Sequence, residues 1–137
     1  MGKLLEGCSI LIVEDEPLIA MDLQRAFEAV GAHIERATTL EQAINLAEAA
    51  DLDGAVVDHV LGTDNAARIY QKLHLRDVPF VVYSGCKEVA GLSPVNVLIV
   101  KPEHPSVLVQ TVINLIRSDQ TEGITGFTRL GTARVRG

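Results

Sequence analysis

No tryptophan occurs in the 137 residues, and aromatic side chains make up only 4% of them. A nucleic-acid interface built on basic residues interleaved with aromatics is therefore excluded. Cationic charge is also scarce: Lys and Arg number 12 against 18 Asp and Glu, a formal net charge of −6. Non-specific binding to a phosphate backbone needs clustered cations that displace counterions, and this chain does not supply them. The two cysteines, Cys8 and Cys86, have no metal-ligand spacing. Cys8 reads as a small buried hydrophobe at the start of a strand, and Cys86 as a loop thiol. No apolar run approaches the roughly 18 residues a membrane span requires. The N-terminal residues Met1-Gly2-Lys3-Leu4-Leu5-Glu6 lack the apolar stretch of a signal peptide and the Ser/Thr that myristoylation prefers. A cytoplasmic protein without a membrane or nucleic-acid partner is the expectation.

With these classes removed, 47% hydrophobic content in a chain this long is enough for one domain with a layered core. The hydrophobic pattern alternates between strand and helix. Strands are predicted over Ser9–Val13, Ala32–Ala37, Gly54–Val57, from Pro79 to about Ser84, and over Val97–Val100. Helices are predicted over Glu16–Val30, Leu40–Ala49, Asn65–Leu75 and Pro105–Ile116, with Pro17 in a first turn, Thr39 as a cap and Gly31 as a stop. Cys86–Val95, with Gly91 and Pro94, supports one helical turn at best. No repeats appear. The order implies an α/β fold: an open parallel sheet with helices on both faces and a shortened fourth helix. The domain is expected over residues 5–118, with a flexible tail over 119–137.

Polar residues of one kind recur where the apolar runs end. Glu14-Asp15 follow Ile10–Val13, Asp58 follows Gly54–Val57, Ser84 follows Phe80–Tyr83, and Lys101 follows Val97–Val100. In open α/β sheets the carboxyl ends of the strands form the ligand-binding edge. Each residue also has a plain structural use. Acids suit a helix N-terminus, so Glu14-Asp15 could simply cap the first helix. Asp58 could be a solvated turn carboxylate, Ser84 a turn hydroxyl and Lys101 a surface lysine. His59 reads as an exposed loop residue.

Taken in order, Val13-Glu14-Asp15-Glu16-Pro17, Val56-Val57-Asp58, Tyr83-Ser84-Gly85 and Lys101-Pro102 resemble the response-regulator receiver domains of two-component signalling, the CheY-like family. The likeness spans about Leu5 to Ser118. It implies a doubly wound five-stranded sheet of order 2-1-3-4-5, phosphorylation on Asp58 and dependence on Mg²⁺. The implied metal ligands are Asp15, Asp58 and the Val60 backbone carbonyl, with Glu14 acting through water. Ser84 and Lys101 would hold the phosphoryl oxygens. The implied donor is a sensor histidine kinase or a histidine phosphotransfer protein.

The residue types fit this chemistry independently. Two carboxylates ~5 Å apart repel by about 3 kcal/mol at an effective dielectric of 20. Three of them persist together only with a proton or a cation, and Mg²⁺ takes hard oxygen donors.

Departures from the family pattern bear on output. Leu98 stands where many receivers carry a swinging aromatic. Pro79-Phe80-Val81-Val82-Tyr83-Ser84-Gly85 resembles the Pro-Phe-x-x-x-Ser/Thr-Gly group of stand-alone receivers, but Glu103 replaces that group's aromatic after Lys-Pro. The residues after Ile116 are too few for an effector domain, so output through a downstream protein partner is expected. Leu108 and Leu115 extend the apolar stripe of the last helix beyond one sheet face, which predicts an interface there, possible as a homodimer. A phosphorylation-independent adaptor is the alternative. An aspartate-nucleophile phosphohydrolase is a weaker one, because Val60 occupies the position of its general acid. Enzyme turnover is not expected.

Overall fold

The computed structural model describes residues 3–61, 64–85, 89 and 97–125. Five parallel strands make the main sheet: β1 (Ser9–Val13), β2 (His33–Ala37), β3 (Gly54–Asp58), β6 (Phe80–Ser84) and β7 (Val97–Val100). Their spatial order is β2-β1-β3-β6-β7, which is the expected 2-1-3-4-5 counted over the strands of this sheet. Between β3 and β6 the chain adds a short antiparallel pair, β4 (Val60–Leu61) and β5 (Asp64–Asn65). Helices α1 (Pro17–Glu28), α2 (Leu40–Ala49), α3 (Ala67–Leu75) and α4 (Pro105–Thr125) complete the described elements. No described helix is long and apolar enough to cross a membrane.

Alternation along the central strands divides the core in two, because successive side chains of a strand point to opposite faces. Leu11, Val13, Ala55, Val57 and Val82 meet Ala43 and Ala47 of α2 and Ile69 and Leu73 of α3. Ile10, Ile12, Val56, Val81 and Tyr83 meet Leu23 and Phe27 of α1 and Leu108 and Val112 of α4. Strands buried on both faces need continuous apolar runs, which explains the composition of β1, β3 and β6. β2 lies at an edge of the sheet, and its His33 and Arg36 are exposed.

Local chemistry sets the ends of the helices. Thr39 Oγ1 accepts the Gln42 N–H at 3.1 Å, while Gln42 Oε1 reaches back to the Thr38 N–H at 2.8 Å. The expected capping box thus closes one residue earlier than its standard form. Gly31, at φ +97°, reverses the chain after α1. Ala32 N–H then reaches the Phe27 carbonyl at 3.2 Å and Gly31 N–H the Glu28 carbonyl at 2.9 Å.

Several expectations need correction. The third helix begins at Ala67, not Asn65, because Asn65 pairs with Val60 in the small hairpin. The last helix continues to Thr125 rather than stopping near Ile116, so a tail starting at 119 would begin inside a helix. Apolar periodicity reports only an amphipathic stripe, and the sequence after Ile116 carries none to mark where the helix ends. Leu108 is fully buried against the sheet, and Leu115 is half-buried against the same cluster. The helix lies on α1 as well as on the sheet, so its apolar stripe is wider than one sheet face requires and leaves Leu108 no outward surface. Cys8 sits just before β1 and is half-buried. Cys86, most of the segment expected to hold the shortened fourth helix, and residues 126–137 lie outside the described residues.

Gly31 offers a check on the α1–β2 turn. A Cβ there would come within 2.8 Å of Lys3 Cβ and 3.0 Å of the Glu6 backbone, at a φ that L-residues rarely adopt. Gly31→Ala is expected to lower unfolding free energy by ~1–3 kcal/mol in urea denaturation. A loss within error of zero would contradict the described turn.

Candidate functional site

Register brings the polar strand ends into one row. Val13 is level with Val57, Asp58 with Tyr83, and Ser84 with Val100. Glu14 and Asp58 are therefore neighbours across β1 and β3, and Ser84 lies one residue further along the adjoining strand. The sheet changes winding direction between β1 and β3, the place where open α/β sheets leave a crevice at their carboxyl edge. One carboxylate oxygen from each of Glu14, Asp15 and Asp58 lies within 4.8 Å of the others. Glu14, Asp58 and Ser84 are buried, and Asp15 is exposed.

Lys101 comes to this cluster from β7. Its Nζ lies 3.2 Å from Glu14 Oε1 and 3.6 Å from Asp58 Oδ1. The Lys101–Pro102 peptide is cis. The lysine main chain is held in turn, since its N–H donates to the Ser84 carbonyl at 2.7 Å. One ammonium against three carboxylates leaves the cluster with excess negative charge. The consequence is clearest at Glu14, whose pKa is pushed up to about 7 by burial first and by the Asp58 charge second, with Lys101 opposing. Burial alone would lower the Lys101 pKa, but Glu14 and Asp58 outweigh it and the net shift is upward.

The excess charge, the close oxygen donors and the hairpin together suit a hard divalent cation. Ala66 N–H donates to the His59 carbonyl at 2.7 Å. With Val60 opposite Asn65, this makes Val60–Asn65 a non-hydrogen-bonded pair of the ladder. The Val60 carbonyl is thus not used by the hairpin, on the loop that leaves Asp58.

Two tyrosines that were not assigned from sequence, and His59, expected as an exposed loop residue, complete the surroundings. His59 is half-buried rather than exposed: its Nδ1 lies 2.8 Å from the Tyr70 hydroxyl, and the rings stack 6.0 Å apart. Burial lowers the His59 pKa against the opposing pull of Asp58, and burial raises that of Tyr70. Tyr83 is buried, with its ring centroid 5.4 Å from Lys101 Nζ. A signal for both tyrosines was present. Tyr70 lies on the inward stripe of α3 with Ile69 and Leu73, and Tyr83 alternates inward on β6. A buried phenol needs a polar partner.

A family model for the response regulator receiver domain matches residues 10–113. This chain belongs to the response regulator receiver domain family. Solved structures agree at the level of fold. A CheY-like receiver domain protein from Methanospirillum hungatei is similar at 21% identity and a TM-score of 0.74, covering 85% of this chain and 98% of that one. The response regulator PhyR from Brucella abortus is similar at 21% identity and a TM-score of 0.76, covering 90% of this chain but only 54% of its own. The receiver domain of a sensor histidine kinase from Pseudomonas aeruginosa matches at 19% identity and a TM-score of 0.67, covering 81% and 98%. It was crystallised with a magnesium ion coordinated in its active-site cleft. Among curated proteins no match was found. As a receiver domain of two-component signalling, the chain carries its acidic cluster at the edge where such domains bind Mg²⁺.

The raised Glu14 pKa gives a signed prediction. Between the ordinary glutamate range and about pH 7, the folded protein holds a proton that the unfolded chain has lost, so metal-free stability falls as pH rises across that window. Asp58→Asn removes one of the repelling charges. It is expected to stabilise the metal-free protein by ~1 kcal/mol at pH 8 and by clearly less at pH 5, where Glu14 is neutral. Urea denaturation with a chelator at both pH values measures this. A destabilised variant at pH 8 would mean that attraction to Lys101 exceeds repulsion within the cluster.

Proposed function

We propose that Asp58 is a phosphoacceptor, taking a phosphoryl group from a phosphohistidine on a sensor histidine kinase or a histidine phosphotransfer protein. The single observation that supports this best is the convergence of Glu14, Asp15, Asp58 and Lys101 at one strand edge. An Asp58 carboxylate oxygen attacks phosphorus and the P–N bond to imidazole breaks. The electron pair returns to the ring nitrogen, leaving an aspartyl phosphate.

Asp15, Asp58 and the Val60 carbonyl would hold Mg²⁺ directly, with Glu14 reaching it through water. When bound, the ion supplies positive charge beside the transferred oxygens. Lys101 offsets charge that builds on an equatorial oxygen, and the Ser84 hydroxyl donates to another. The protein therefore contributes position and electrostatics rather than turnover.

Output passes through contacts with another protein. Next to the acceptor edge, Leu18 and Met21 are exposed on the first turns of α1 and offer apolar footholds to a partner. The Leu108 part of the interface expected on the last helix is absent because that side chain is buried.

Incubation with acetyl phosphate and Mg²⁺ followed by intact mass tests this reading. A gain of one phosphoryl group is expected, with no gain in Asp58→Asn or in excess chelator. Lys101→Met is expected to slow the gain by ~10²-fold. An unmodified wild-type chain would favour an adaptor that works without phosphorylation, and rapid consumption of acetyl phosphate a phosphohydrolase.

A further inference from the structure

Tyr83 is tied to the acceptor site on two sides. Its hydroxyl donates to the Glu103 carbonyl at 3.1 Å and accepts the Glu103 N–H at 2.9 Å, so both polar groups of one residue close on one phenol. Its ring lies 5.4 Å from the Lys101 ammonium, within cation–π range. The next residue, Ser84, receives the Lys101 N–H through its carbonyl. The end of β6 and the Lys101–Glu103 turn are thereby joined by three hydrogen bonds and one ring contact.

From this turn the connections continue outward. His104 N–H donates to Glu103 Oε1 at 3.1 Å, and Ser106 N–H donates to His104 Nδ1 at 3.1 Å. Ser106 lies in the first turn of α4, and Val107 beside it is exposed. A chain of polar contacts therefore runs from the acceptor edge to a solvent-facing helix start. Leu98, at the position where many relatives carry a mobile aromatic, packs instead against the cluster on the other face of the sheet.

We propose that Tyr83 is a positioning residue that couples Lys101 to the Glu103–Ser106 segment, so that occupancy of Asp58 reshapes the start of α4. This rests on the reading of Asp58 as phosphoacceptor. Phosphorylation replaces the single carboxylate charge of Asp58 with a phosphoryl group carrying about two, a net gain of about one negative charge beside an ammonium that now faces Glu14 and Asp58. The lysine side chain must share itself with the new oxygens, and in doing so it moves over the Tyr83 ring. Ser84, drawn to the same group, shifts the strand end that carries Tyr83. Because the phenol is held at both Glu103 backbone groups, it transmits the shift instead of swinging freely.

The test uses the full chain with Mg²⁺ and beryllofluoride as phosphoryl mimic, with Asp58 driven to saturation in wild type and in Tyr83→Phe. The variant keeps the ring and drops the hydroxyl. In wild type the Glu103 and His104 amide resonances are expected to shift on saturation, and in Tyr83→Phe those shifts are expected to shrink at least ~3-fold while shifts around Asp58 persist. Full-size shifts at Glu103 and His104 in the variant overturn the coupling.

A second measurement needs no substitution at Tyr83. The chain has two tyrosines, so labelling tyrosine Cζ gives two resonances, and Tyr70→Phe assigns them. A Tyr83 signal that moves on saturation supports the coupling, and one that stays fixed overturns it. If wild type shows no shift around Asp58 at any mimic concentration, the phosphoacceptor reading itself fails and the coupling falls with it.

Discussion

Repulsion among Glu14, Asp15 and Asp58 is the constraint around which this domain is arranged. Carboxylate oxygens within 4.8 Å of one another repel by ~3 kcal/mol per ionised pair, and two of the three side chains are withdrawn from water. A folded domain of marginal stability accepts such a cluster only if something offsets it. Lys101 does so in part, and the rise of the Glu14 pKa to about 7 makes protonation there a second relief. The residual charge and the closely spaced carboxylate oxygens suit the site to a divalent cation.

The fold holds that charge in place. Parallel strands buried on both faces keep Glu14, Asp58 and Ser84 in register, and the two packed helix layers allow those strands little play. Among the described residues, two loops at the site are tied to the rest of the domain. The loop leaving Asp58 is fixed by the β4–β5 hairpin and by the His59–Tyr70 contact. The loop after β7 is fixed by Ser84 and Tyr83. A site whose movable parts are fastened to particular side chains can pass a change in charge to a distant surface along those fastenings, and α4 is where one of them ends.

Much of the fold was legible from residue pattern alone, for physical reasons that vary by element. The central strands had to be continuous apolar runs, so Ile10–Val13 and Phe80–Val82 announced themselves. Pro17, Thr39 and Gly31 marked turns through backbone restrictions that act within a few residues. The β4–β5 pair was not legible, because two-residue strands carry no periodicity. The extent of α4 past Ile116 was hidden for a related reason: the sequence of its last turns carries no apolar periodicity. Leu108 was misread because sequence shows how wide a stripe is but not how many neighbours cover it.

For the site, sequence by itself determined the inventory: three acids, a hydroxyl and a lysine, each placed after an apolar run, and hence a common edge. Those facts are local, since strand polarity and residue type travel with the chain. Tertiary structure decided which groups share a field. It set the 3.2 Å separation of Lys101 from Glu14 and the rise of the Glu14 pKa to about 7. It also closed the Tyr83 hydroxyl on Glu103. Distances between residues far apart in sequence come from packing, and Coulomb energy and hydrogen bonding depend on those distances, so no local pattern could have fixed them.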